Sequence, residues 1–264
     1  MAQNSKIEWT HHTGNLWWGC TEVHAGCDNC YARVLANRWG EKLWGNDVPR
    51  RAIKSVWKDL AKYQREAKKV GEIHRVFVGS MMDIFEKSMP VKVDEDGKII
   101  QTTGALRSRL FYEIGTGEYP NLMFLFLTKR PSNINKYIPE YWKENPPSNV
   151  TFGTSPVDQK TADTLIPQLM NVKGRKFLSV EPMLGPIDFR NVPGFNSLSI
   201  IDELRKMWVI CGGESGHHKR PLNLLWARSL RDQCKNAGVP YFFKQIDKIQ
   251  YIPEDLQIRQ FPTH

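Results

Sequence analysis

Leu122-Met123-Phe124-Leu125-Phe126-Leu127 is the stretch on which the fold turns. Six apolar residues without polar alternation describe a strand buried on both faces, and such strands belong to parallel sheets covered by helices. Similar runs occur along the chain at Val76-Phe77-Val78-Gly79, Val150-Thr151-Phe152-Gly153, Lys176-Phe177-Leu178-Ser179-Val180, Met207-Trp208-Val209-Ile210-Cys211 and Val239-Pro240-Tyr241-Phe242-Phe243. Between them lie amphipathic helical patterns over residues 105–114, 133–142, 159–170 and 222–237, with a basic one over 55–68. Residues 15–19 read as a short opening strand, and Tyr31, Val34, Leu35, Trp39, Leu43 and Trp44 fall at helical spacing after it. The alternation predicts an α/β fold, a partial or full (β/α) barrel of six to seven parallel strands.

The 264 residues suit one such domain, 1–264. Inserted loops are expected near 87–102, where Asp96-Gly97 suits a hairpin turn, and over 186–206, with a polar tail at 246–264. No apolar run is long enough to span a bilayer, and the first ten residues lack a signal core, so no membrane association and a cytoplasmic location are expected. Lys and Arg number 37 against 28 Asp and Glu, a net charge of +9. That excess suits a polyanionic partner, because cations on a surface gain affinity by releasing phosphate counterions.

Chemistry is expected at the carboxyl ends of the strands, where barrels of this class build their active sites. The first such end leads into Cys20, Cys27 and Cys30, spaced C-x6-C-x2-C. Three thiols leave a fourth position open, as suits an iron–sulfur cluster, while zinc stays open if His24 or His11 adds a ligand. Later ends supply Gly79, Ser80 and Asp83, then Lys129 and Arg130, Thr154 and Ser155, Glu181, Gly213 and Glu214, and Lys219 and Arg220. Small residues admit a ligand close to the backbone, hydroxyls and carboxylates bind its polar groups, and cations meet anions. Cys211 and Cys234 lie in apolar contexts and read as core thiols. His11, His12, His217 and His218 are further metal candidates.

With Ile7-Glu8-Trp9-Thr10, Cys27-Asp28-Asn29-Cys30-Tyr31-Ala32, Gly79-Ser80-Met81-Met82-Asp83, Thr128-Lys129-Arg130-Pro131, Ser179-Val180-Glu181-Pro182, Gly212-Gly213-Glu214-Ser215-Gly216 and Phe243-Lys244-Gln245 in this order, the chain resembles a phage- and prophage-associated family of the radical S-adenosylmethionine superfamily, itself of uncharacterised function. The resemblance implies a metal-binding site in which Cys20, Cys27 and Cys30 hold a [4Fe–4S] cluster whose fourth iron chelates S-adenosylmethionine. Reductive cleavage by an external electron donor would give a 5′-deoxyadenosyl radical. It further implies that Gly79, Ser80 and Asp83 face the methionine end, and Thr154, Ser155 and Glu181 the ribose and carboxylate region. Lys129 with Gly213 and Glu214 would complete the cofactor site, leaving Arg130, Lys219 and Arg220 for a substrate phosphate. A nucleic acid or nucleotide is the candidate substrate; the alternative is a non-catalytic zinc- or cluster-stabilised nucleic-acid-binding protein. Three features depart from the superfamily pattern: the first cysteine gap is wider than its usual C-x3-C, Asn29 stands where an aromatic residue usually precedes the third cysteine, and the Gly-Gly-Glu that normally follows the second strand follows a late one here.

Overall fold

The protein is represented by a computed structural model that describes residues 5, 7–92, 99–194, 206–216 and 218–262. Eleven strands appear among these residues: β1 (His12–Gly14), β2 (Trp17–Trp18), β3 (Arg50–Ala52), β4 (His74–Val78), β5 (Pro90–Lys92), β6 (Ile99–Thr102), β7 (Leu122–Thr128), β8 (Val150–Thr154), β9 (Arg175–Val180), β10 (Met207–Gly212) and β11 (Tyr241–Gln245). The fold is α/β, a partial (β/α) barrel. Its seven-stranded sheet runs β1-β4-β7-β8-β9-β10-β11, in sequence order. β1–β4, β4–β7, β9–β10 and β10–β11 pair in parallel. Their helices are α1 (Tyr31–Arg38), α2 (Val56–Val70), α3 (Thr103–Gly115), α4 (Ile134–Tyr137), α5 (Glu140–Glu144), α6 (Gln159–Met170) and α7 (Leu224–Ala237). No helix among the described residues is long and apolar enough to cross a membrane.

Two compact units divide the chain, residues 1–23 with 32–151, and residues 24–31 with 152–264. In the first, β4 and β7 are buried along their apolar runs, Phe85 and Phe111 pack on Phe126 of β7, and Trp142 packs on Phe111. This unit also carries a second sheet, β2-β3-β5-β6. The expected hairpin forms its last two strands, with Val91 opposite Gln101. Its turn, residues 93–98, lies outside the described residues. In the second unit, β10 and β11 are packed against α7, which ends on Gly238 at φ 69°, the left-handed conformation that glycine adopts without strain. Of the expected insertion at 186–206, residues 195–205 lie outside the description.

Four boundaries differ from the sequence reading. The opening strand of the large sheet is β1, not residues 15–19; its His-Thr-Gly sequence carries no apolar signal. β1 and the neighbouring β4 are instead stitched by the Thr10 hydroxyl, which donates to Arg75 O (2.8 Å) and accepts from Phe77 N (3.1 Å). The helix expected over 133–142 splits into α4 and α5, because Pro139 forces the preceding Ile138 into extended backbone (φ −71°, ψ 154°). β11 begins at Tyr241 rather than Val239; Pro240 has no N–H to give the ladder, and its carbonyl accepts from Val209 N. α1 stops at Arg38, and its buried face is Ala32 and Ala36, which leaves Tyr31, Val34 and Leu35 exposed.

Candidate functional site

The cysteine loop follows β2 and runs into α1, and each unit holds its own part of it. In the first unit, the end of β7 turns Thr128, Lys129 and Arg130 toward Asp83, on the loop after β4. Asp83 is a buried carboxylate with all of its acceptor directions used. Oδ1 takes Thr128 Oγ1 (2.7 Å) and Phe85 N (2.9 Å), while Oδ2 takes Lys129 N (3.2 Å) and Arg130 Nη1 (2.7 Å). The Arg130 guanidinium, fixed on that side, donates on the other to the Thr21 carbonyl and lies 3.9 Å from Cys20 Sγ. Burial works against its charge, but Asp83 and Cys20 hold it well above the usual arginine value. Cys20 is pushed the other way. Burial, then the Asp83 and Glu86 carboxylates, raises its thiol to about 12, against the opposing pull of Arg130.

A second arginine fixes the same segment from within that unit. Arg50, wholly buried, donates to both Glu86 oxygens (2.9 and 2.8 Å), to the carbonyls of Leu43, Gly45 and Val48, and to Thr21 Oγ1 (2.8 Å). Nothing in the sequence around Arg50 distinguished it from a surface cation. Gly79, which precedes Asp83, has φ 119°, and a Cβ there would stand 3.2 Å from both Leu127 O and Met82 O. Glycine is therefore what lets the chain leave β4 toward the site. Ser80 accepts from the Asn15 side chain (2.8 Å). The Lys129 ammonium has no hydrogen-bond or ion-pair partner among the described residues.

In the second unit, a 3-10 turn (Ala25–Cys27) is capped by His24, whose Nδ1 accepts from Gly26 N (3.1 Å). Cys30 N donates to Cys27 O (3.2 Å), so the C-x2-C pair sits in one tight turn at the start of α1. What holds the turn is the Gly-Gly-Glu segment after β10. Glu214 accepts from Asn29 Nδ2 (2.9 Å) and from Arg220, through its backbone N–H (2.7 Å) and its guanidinium. Arg220 then reaches Asp28 Oδ2 (3.2 Å) and the Ala25 carbonyl (2.9 Å). Burial alone would raise the Glu214 pKa, but the Arg220 guanidinium and backbone with the Asn29 amide outweigh it and lower it. Asn29, in the position where an aromatic residue was expected, is thus an anchoring side chain, and its amide also reaches His218 O (2.8 Å).

Gly213 packs so closely that a Cβ would collide with the Ile246 carbonyl oxygen. Gly212 leaves room for Glu181, whose Oε1 would lie 3.0 Å from an added Cβ. Glu181 follows β9, is joined to Pro182 by a cis peptide, and is paired with Lys244 Nζ (2.8 Å) at the end of β11. Lys219 pairs with Asp247 (2.8 Å). Thr154 and Ser155 are buried at the end of β8, and the Ser155 hydroxyl has no hydrogen-bond partner among the described residues.

The five cysteines are free thiols. Cys211 and Cys234 are fully buried in the second unit, as their apolar contexts predicted. Cys20, Cys27 and Cys30, three reduced thiols on one loop, are a donor set suited to a cubane cluster with one iron left for another ligand. Among the described residues, no group of three or more His, Cys, Asp or Glu side chains is arranged to hold a metal ion. The remaining metal candidates are otherwise engaged. His11 Nδ1 accepts from Arg75 N (2.8 Å), His12 Nε2 lies 3.0 Å from His74 Nδ1, and His12 stacks on Tyr63. His217 lies outside the described residues. His74, silent in the sequence, joins this network through His12, 62 residues away along the chain.

Neither the curated proteins nor the solved structures yielded a match to this chain. A family model does match, over residues 4–257, and the chain therefore belongs to the family described as Protein of unknown function (DUF5131).

Proposed function

We propose that the chain is a radical S-adenosylmethionine enzyme in which Cys20, Cys27 and Cys30 ligate a [4Fe–4S] cluster, and that its substrate is a nucleic acid or nucleotide. The observation that carries the reading is the cysteine loop itself. It has three free thiols, and arginine–carboxylate pairs, Asp83–Arg130 and Glu214–Arg220, are committed to its backbone rather than to solvent. A loop so heavily anchored is what a cluster site requires, since ligands must be held while one metal corner stays open. When bound, the cluster supplies the electron that cleaves the sulfonium of S-adenosylmethionine.

The chain's own residues then have separate tasks. Asp83 and Arg130 fix Thr21 and keep a cation beside the first sulfur, which opposes the rise that burial and the carboxylates impose on its thiol. Glu214, Arg220 and Asn29 fix the turn that carries the other two. The unpartnered Ser155 hydroxyl and the uncommitted Lys129 ammonium are groups free to meet a polar or anionic part of the ligand. Glu181, braced by Lys244, offers a carboxylate to the ribose or amino group. An external donor supplies the electron, and a cytoplasmic setting would keep the thiols reduced.

The test is anaerobic reconstitution with iron and sulfide, reduction by dithionite, and assay for 5′-deoxyadenosine from S-adenosylmethionine. Brown protein that releases 5′-deoxyadenosine, with loss of release in Cys27→Ala, is expected. Colourless protein carrying one zinc and releasing none would overturn the reading in favour of a structural metal.

A further inference from the structure

Residues 32–70 hold eleven Lys or Arg against four Asp or Glu, which places seven of the chain's nine net positive charges in 39 residues. This segment lies in the first unit and includes α1, β3 and α2. Its aromatic rings are not all core. Trp39, just past the end of α1, is 72 % exposed. It meets Trp18 edge-on (ring centroids 6.4 Å), and the Arg51 guanidinium covers the Trp18 ring at 4.6 Å. Gly40, the residue after Trp39, lines a cavity of about 730 Å³ together with Thr21, Asn37, Lys42, Trp44 and the paired Arg33 and Glu22. Arg38 and Lys42, both exposed, have no ion-pair partner among the described residues.

An exposed indole costs solubility unless something covers it, and here the exposed Val34 and Leu35 of α1 precede it in the chain while Arg38 and Lys42 flank it. Aromatic rings set among cations are how proteins hold single-stranded nucleic acid, and here Arg51 is shared with Glu41 (3.1 Å) while Arg38 and Lys42 are not so paired. Bases stack on the rings, and the backbone runs along the positive charge. The cavity has the volume of sites that take one small ligand, and Asn37, Asn46 and Lys42 give it donors for a base edge or phosphate.

We infer that the Trp18–Trp39–Arg51 surface and the adjoining cavity bind single-stranded nucleic acid, Trp39 stacking a base and Arg38, Lys42 and Arg51 following the backbone. The inference rests on the reading of a nucleic acid as substrate, but not on the cluster, so binding is measured on protein with neither cluster nor S-adenosylmethionine. A strand held here would pass beside the cysteine loop at Thr21.

The experiment is fluorescence anisotropy with labelled 16-nucleotide dT and rU oligomers at several salt concentrations. With three phosphate contacts, the affinity should fall roughly 10- to 50-fold between 50 and 200 mM salt. Trp39→Ala should weaken binding by about 5- to 100-fold, the range for loss of one stacked base. Lys42→Ala should weaken it less and flatten the salt dependence by about one phosphate. Trp39 and Lys42 are exposed, so these variants should fold, as circular dichroism will show. Lys160→Ala, an exposed cation of the other unit, should change affinity by less than about twofold. Equal losses in Lys160→Ala and Lys42→Ala would reduce the effect to net charge and overturn the inference, as would oligomer binding indifferent to Trp39. Competition by free dTMP at the oligomer's own concentration would replace a strand by a mononucleotide and overturn it too. Failure to form 5′-deoxyadenosine, with these results intact, would remove the radical chemistry and leave the surface standing.

Discussion

Asp83→Asn tests the anchoring of the first cysteine most sharply. The substitution keeps the shape of the side chain and removes its charge. Asp83 accepts four hydrogen bonds, from Thr128, the Phe85 and Lys129 amides, and Arg130. An asparagine can still accept from the Thr128–Phe85 side, but its amide then turns two N–H groups toward Lys129 N and Arg130. Hydrogen bonds to a charged partner contribute about 1.5–3 kcal/mol each, and breaking a buried ion pair outright costs about 3–5 kcal/mol. The Asp83 side chain is 6 % exposed and that of Arg130 14 %, so solvent replaces little of what is lost. We expect a loss of about 2–4 kcal/mol in urea unfolding followed by tryptophan fluorescence. Arg130→Met in the same background should recover part of that loss, with a coupling of about 1–3 kcal/mol, because the unpaired guanidinium is then gone. Native-state alkylation of Cys20 should quicken in Asp83→Asn, as Arg130, the donor to the Thr21 carbonyl, loses its anchor. A destabilisation under about 0.5 kcal/mol, or strict additivity with Arg130→Met, would show that the pair does not hold the loop.

Two other predictions concern stability. His11 and His12 are held down to about 4, first by burial and then by neighbouring cations and histidines, among them Arg75 and His74. Their folded pKa values lie below the unfolded value, so the stability they confer is present above about pH 6.5 and is lost as pH falls toward 4. Glu66, Glu72, Tyr63 and Arg75 are the other titratable groups around the cluster. Urea unfolding should therefore show a loss of roughly 2–3 kcal/mol from pH 7 to 5, halved in His12→Gln; a flat profile would refute it. Gly213→Ala should cost about 1–3 kcal/mol by driving its methyl into the Ile246 carbonyl, while Gly216→Ala, with open space around it, should be neutral. Equal effects at the two glycines would contradict the packing argument.

The large sheet was legible because burial on two faces writes itself into sequence as unbroken apolar runs, as in β7 and β10. β1 was not, since three residues stitched by one threonine hydroxyl need no apolar pattern. Within the candidate site, residue types at the strand ends were legible, but their partners were not. Asp83, Glu214 and Arg220 look alike whether they face a ligand or one another. Their pairing depends on contacts 47 residues apart for Asp83–Arg130 and 185 for Asn29–Glu214. Arg50 carries no local mark at all. The cysteine loop was conspicuous, whereas the charges expected around a cofactor prove, in good part, to anchor that loop.

Iron analysis of anaerobically reconstituted protein tests the central claim most directly. About four iron and four sulfide per chain are predicted for the unaltered protein and for Cys234→Ala, with loss in each of Cys20→Ala, Cys27→Ala and Cys30→Ala. Retention of the full iron content in any of those three, or its loss in Cys234→Ala, would contradict the account.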